Sequence, residues 1–198
     1  YLSLDFEGAK QFGTMGRGKR QAGGYMGYGA IEFHPSLVKD VKTYAWLSAK
    51  YLSGDRHHGG EYDNDIGWDP MWARAPCDSE LMQYGTLLGL GYWSNILYTR
   101  LTLGAEFSPR HRFQMYSGPM WAAERDGHGH TDGGGSSFKG FLTAARYDFP
   151  ILIAPKNASG LRRFEIFGHV VGELFNPGDY YESHRPSYFI RWEFIVKF

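Results

Sequence analysis

The sequence predicts an all-β fold: an antiparallel up-and-down transmembrane β-barrel, to which this chain contributes about eight strands. Three observations predict it. Apolar and polar residues alternate with period two over segments too long for ordinary globular strands. The connections between these segments alternate between short and long, as in outer-membrane barrels. Aromatic residues make up 17% of the chain and recur at both ends of the apolar faces, like interfacial girdles.

The strands are expected over 1–12, 20–34, 40–54, 97–108, 110–125, 137–153, 161–177 and 187–198. The alternation is plainest from Tyr98 onward, where Leu101, Leu103, Ala105 and Phe107 share one face and Arg100, Thr102, Gly104 and Glu106 the other. In the last strand Tyr188, Ile190, Trp192, Phe194, Val196 and Phe198 oppose Arg191, Glu193 and Lys197; before it, Phe164, Ile166, Val170 and Leu174 oppose Arg163, Glu165, His169 and Glu173. Internal glycines at Gly23, Gly24, Gly27 and Gly29 weaken their strand but allow it to coil, and Pro119 predicts a bulge. Short connections are expected near His34-Pro35-Ser36, Ser108-Pro109-Arg110 and Pro155-Lys156-Asn157, and longer ones at 13–19, 55–96, 126–136 and 178–186. With Phe198 on the periplasmic side, all four longer loops fall outside the cell. A soluble antiparallel sandwich or barrel would also alternate; strand length and the aromatic rows favour the membrane form.

Composition bounds the function. Lys plus Arg and Asp plus Glu are equal at 21 each, without the basic surplus that a nucleic-acid binder needs. The mean hydropathy is negative and no uninterrupted apolar run of about 18 residues exists, which argues against membrane helices but not against a barrel. The single cysteine, Cys77, excludes an internal disulfide. No signal peptide is visible at Tyr1; either a leader has been removed or an N-terminal part precedes it.

Motifs for chemistry are weak. Gly13–Lys19 resembles a phosphate loop, but Arg20 stands where Ser or Thr should hold magnesium. No Gly-x-Ser-x-Gly elbow is present. His57, His58, His128 and His130 lie in glycine-rich loops and read as solvated polar residues before metal ligands. Asp63-Asn64-Asp65 with Gly67 lacks the bidentate Glu of a calcium loop. No catalytic residue, metal or cofactor is expected, although an outer-membrane barrel enzyme acting on lipid or surface polymer stays open as an alternative.

Three stretches carry a family resemblance. The tail Trp192-Glu193-Phe194-Ile195-Val196-Lys197-Phe198 resembles the assembly signal of outer-membrane barrels. Gly67-Trp68-Asp69-Pro70-Met71-Trp72-Ala73-Arg74-Ala75-Pro76, followed by Ser79-Glu80-Leu81, is similar to a run in the alginate export family of bacterial outer-membrane β-barrel proteins, with Ala75 in place of the family's usual Trp. Leu174-Phe175-Asn176-Pro177-Gly178-Asp179 is similar to the family's Phe-x-Pro-Gly-Asp before the last strand. The resemblance would match the C-terminal half of such a protein. It implies that the full barrel has many more than eight strands, since eight alone would be filled by side chains.

On this reading 1–198 is one barrel domain, or its C-terminal portion, in the bacterial outer membrane, in contact with lipid and lipopolysaccharide. The polar faces would line a passage for a polysaccharide, anionic such as alginate, or for small polar solutes. The lining candidates are Lys42, Lys50, Arg100, Glu106, Arg112, Arg146, Asp148, Arg163, Glu165, Glu173, Arg191 and Glu193, with Asp5, Glu7, Glu32 and Lys197 on the same faces. They form either a selectivity surface or a cross-strand ladder that stiffens the wall. Arginines are expected to hold carboxylates, and Tyr44, Trp46 and Tyr116 to stack on sugar rings. The long connection 55–96 is too apolar for a solvated loop. Through Trp68, Asp69, Pro70, Trp72 and Arg74 it either folds inward as a constriction or caps the mouth. A plugged structural or adhesion barrel is a further alternative, and a periplasmic or other barrel partner is left open.

Overall fold

The computed structural model describes residues 1–15, 20–22, 24–35, 37, 39–54, 79, 95–108, 110–124, 136–153, 165–181 and 183–197. Among the described residues ten strands follow in chain order: β1 Leu2–Lys10, β2 Gly13–Met15, β3 Arg20–Ala22, β4 Tyr25–Phe33, β5 Lys42–Leu52, β6 Ile96–Ser108, β7 His111–Trp121, β8 Phe138–Leu152, β9 Glu165–Pro177 and β10 Ser187–Lys197. Eight of them form one antiparallel sheet in the order β1-β4-β5-β6-β7-β8-β9-β10. Among the described residues there is no helix long and apolar enough to cross a membrane.

The meander matches the expected strand order, with two differences. The sheet is not closed: β1 and β10 each pair on one side only. The segments expected as a loop over 13–19 and a strand over 20–34 divide differently, because β2 and β3 pair with each other as an extension of the β1–β4 hairpin. The backbone N–H of Gln11 donates to the Gly24 carbonyl at 2.7 Å, carrying the ladder past the end of β4. Lys10 opposite Tyr25 and Gly13 opposite Ala22 keep one register, so the two ladders follow one another along the same hairpin. Residues 154–164, including the expected short turn and Arg163, lie outside the described residues, as do Trp68, Asp69, Pro70, Trp72 and Arg74.

Residues directly opposite one another on antiparallel strands point to the same side, so the register sorts every strand residue onto one of two faces. One face is exposed and apolar. It carries Leu4, Phe6, Ile31, Leu47, Leu101, Leu103, Met115, Val170, Leu174, Ile190 and Trp192, all exposed. Among the described strand residues its only Lys, Arg, Asp or Glu is Lys10, at the end of β1. The other face is the more buried one and carries the charged residues. At the end facing the long connections it holds an apolar cluster of Leu52, Ile96, Tyr98, Met120, Leu142 and Phe175, with Met26, Tyr116, Tyr181 and Phe189 packed against it.

The expected bulge near Pro119 is present, and the extra residue lies on the facing strand. Met120 pairs with Gly140 and Trp121 with Phe138, leaving Lys139 between them. Gly140 takes φ of 137°, which disfavours any side chain. Lys139 is buried, and its ammonium lies 4.9 Å from the centre of the Tyr180 ring. Gly118, beside Pro119, has no room for a side chain, because a Cβ there would collide with the Thr99 carbonyl.

Candidate functional site: the charged face

Every expected lining residue except Arg163 falls on the buried face. The register stacks these residues in rows across the strands. At the short-turn end one row runs Lys42, Glu106, Arg112, Asp148, His169 and Glu193, alternating in sign from Lys42 to Asp148. Directly above it lie Tyr44, Gly104, Gln114, Arg146, Val171 and Arg191. The next row holds Glu32, Trp46, Thr102, Tyr116, Ala144, Glu173 and Phe189. Asp5 and Glu7 on β1 and Lys50 on β5 share this face.

Aromatic rings and arginines interleave within the rows. The Arg100 guanidinium lies between Trp46 and Tyr116, 5.6 Å and 5.1 Å from their ring centres. Arg100 is only 9% exposed, so these cation–π contacts act in a partly desolvated setting where they are strongest. Arg112 donates from Nε and Nη2 to the Tyr44 hydroxyl at 3.0 Å and 2.9 Å. Tyr44 can lie across the wall because its partner on β6 is Gly104, where a Cβ would collide with the tyrosine ring. Tyr44, Trp46 and Tyr116, expected to stack on sugar rings, each lie against an arginine: Tyr44 against Arg112, and Trp46 and Tyr116 against Arg100.

Ion pairs complete the short-turn end. Arg146 clamps Asp148 through Nε and Nη2, with contacts from 2.7 to 3.1 Å. Arg110 pairs with Glu165 at 2.9 Å, and Arg191 with Glu193 at 3.2 Å. His169 sits among these groups, 5% exposed. The period-two pattern placed His169 on the polar face but gave no signal that it would be the meeting point of four charges.

One contact bears on the long connection between β5 and β6. Ser79 is 2% exposed, and its hydroxyl donates to Glu173 Oε2 at 2.6 Å. Glu173 is on β9, three strands beyond β6 in the sheet. The connection therefore reaches across the buried face at Ser79, within the Ser79-Glu80-Leu81 stretch singled out from the sequence. Tyr116 Oη lies 3.5 Å from the other carboxylate oxygen of Glu173. Sequence spacing gave no indication of this partner, because a charge-assisted contact between a loop and a distant strand has no period.

At the long-connection end, Asn95 ties two strand ends together. Its Nδ2 donates to the Glu124 carbonyl at 2.9 Å and its Oδ1 accepts from the Glu124 backbone N–H at 2.6 Å. Among the described residues no group of three His, Cys, Asp or Glu side chains is placed to hold a metal ion. His57, His58, His128, His130 and Asp63–Asp65 lie outside the described residues. Comparison with protein-family models, with curated proteins and with solved structures finds no match to this chain.

Proposed function

We propose that this chain forms wall of a bacterial outer-membrane channel of the alginate-export type. It passes a polysaccharide, anionic such as alginate, or small polar solutes by passive diffusion. One observation carries the reading: the sheet is inside-out. Its exposed face is apolar and almost free of charge, while its buried face holds arginines, lysines and carboxylates. In water this arrangement leaves large apolar side chains unburied over most of a sheet, far beyond the patch size of soluble monomers. In a bilayer it is the expected alternation of a barrel wall.

Dimensions agree with that setting. On β6 the exposed-face residues run from Leu97 to Phe107, a stretch of roughly 33 Å at ~3.3 Å per residue. At the ~40° tilt usual for barrel strands this is about 25 Å of height, the thickness of an outer-membrane apolar band. Aromatics mark both borders of the face: Tyr25, Tyr51, Trp121, Phe138 and Tyr188 at one end, Phe33, Phe107, Phe113, Tyr147 and Phe149 at the other. Unpaired strand edges cost several kcal/mol per buried polar group in lipid, so further strands must pair with β1 and β10 to close the wall. The Arg100, Arg112 and Arg146 region sets guanidinium charge, which attracts carboxylates, beside aromatic faces of the kind that suit sugar rings.

A second reading, a plugged barrel, draws support from the apolar cluster at the long-connection end and from Ser79 tied to Glu173. In the channel reading these same features narrow the passage. Planar-bilayer conductance of the full-length protein, with and without added polyuronate, separates the two. Steady conductance blocked by the polymer supports the channel; absence of conductance from folded protein favours the plug.

A further inference from the structure

His169 lies where a single proton rearranges the charged band. Two strands pack against it, and each presents one cation and one anion. From β8 come Arg146, whose Nη2 is 3.4 Å from His169 Nδ1, and Asp148, whose Oδ1 is 3.9 Å from the same nitrogen. From β10 come Glu193, whose Oε2 is 3.2 Å from His169 Nε2, and Arg191, whose Nη2 is 3.4 Å from it.

A neutral imidazole has one N–H and one lone pair. Glu193, at 3.2 Å from Nε2 against 3.9 Å for Asp148 from Nδ1, favours the N–H on Nε2 and facing Glu193, and Arg191 Nη2 then meets no lone pair there. Nδ1 then keeps its lone pair and accepts from Arg146. Protonation removes that lone pair. Nδ1 becomes a donor, its nearest acceptor is Asp148 Oδ1, and Arg146 can no longer donate to the ring. The Arg146 contact must open, while Asp148 is shared between two cations.

We propose that His169 is the selectivity-determining residue of this wall: on gaining a proton it exchanges Arg146 for Asp148 at Nδ1, adds a positive charge to the band and favours the passage of anions. The selectivity part rests on the channel reading; the exchange of partners does not. Without that proton the band of Lys42, Arg112, Arg146 and Arg191 against Glu106, Asp148 and Glu193 already has one cation in excess, and the proton adds a second. Histidine is the side chain whose charge ordinarily changes between about pH 5 and 8, whereas carboxylates and guanidinium groups as classes titrate outside that range. A unit charge about 8 Å from a permeating ion, partly screened by salt, changes the anion-to-cation permeability ratio roughly two- to fivefold.

The test measures reversal potentials of the full-length protein in asymmetric potassium chloride at pH 8 and pH 5. Wild type should shift toward chloride at pH 5, His169→Gln should stay at the pH 8 value of wild type, and His169→Lys should hold the low-pH value at both. An equal pH response in wild type and His169→Gln overturns the assignment. Nitrogen-15 NMR of the micelle-bound protein reads the exchange without any current. The Nε2–H form should dominate at pH 8, and the Arg146 guanidinium signal should move at pH 5 in wild type but not in His169→Gln. An Arg146 signal that ignores pH, or ignores the substitution, also overturns it. If no current flows but the exchange is seen, the channel reading falls and the proton-driven exchange stands.

Discussion

Replacing Leu101 with arginine tests the membrane reading most directly, because the two environments predict different outcomes for the same change. Leu101 is 48% exposed on the apolar face of β6, opposite Leu47 on β5 and Ser117 on β7. It lies near the middle of the stretch bounded by Leu97 and Phe107. If that face meets water, an exposed arginine alters stability by no more than about 0.5 kcal/mol. If it meets hydrocarbon at mid-bilayer, the cost is about 2–4 kcal/mol, falling to about 0–1 kcal/mol near the interface. The mid-bilayer cost corresponds to a change in the folding equilibrium of roughly 30- to 700-fold. Phe107→Arg, at the border of the same face, supplies the shallow comparison. The assay is reversible denaturant unfolding in lipid vesicles, followed by tryptophan fluorescence. A Leu101→Arg protein within about 0.5 kcal/mol of wild type, or no difference from Phe107→Arg, would refute the placement of this face in lipid.

Ser79→Ala should cost about 1.5–3 kcal/mol, because the Glu173 carboxylate loses a buried 2.6 Å donor; denaturant midpoints at unchanged slope would show it, and a change under about 0.5 kcal/mol counts against the tether. Gly118→Ala should destabilise by about 1–3 kcal/mol through overpacking against the Thr99 carbonyl. By contrast Gly172→Ala, where a Cβ meets nothing within 4 Å, should be neutral or stabilise by about 0.4–1 kcal/mol; a matched pair of thermal melts reads the difference. Burial first, and then the neighbouring Tyr180, raise the Tyr181 phenol above its ordinary value of 10. The stability it contributes is therefore complete below about pH 10 and is lost as pH climbs above that, through the folded-state value. Stability measured against alkaline pH should fall less steeply in Tyr181→Phe than in wild type.

Much of the wall was legible because period two is a local property. In β6 and β10 the face of each residue follows from its parity, and Arg100, Arg191 and Glu193 lie where alternation puts them. Short turns account for the pairing of β4 with β5, β6 with β7 and β8 with β9, while the pairs joined by longer connections were expected from the up-and-down pattern as a whole. What escaped depends on contacts that no period encodes. The β2–β3 pairing was hidden because its glycine-rich surroundings fit a loop as well as a ladder. The bulge was expected from Pro119, yet the extra residue is Lys139 on the partner strand, because a missing proline N–H disturbs the ladder from both sides. Ser79 reaching Glu173 and the gathering of Arg146, Asp148, Arg191 and Glu193 around His169 are matters of register between strands. A one-residue slip would undo them while leaving each sequence pattern unchanged.

Chain order and sheet order coincide from β4 to β10, so each strand there pairs only with its neighbours in sequence. The width of such a sheet is a modular quantity. Duplication or loss of one hairpin would change the width of the sheet while leaving the other strand pairings as they were.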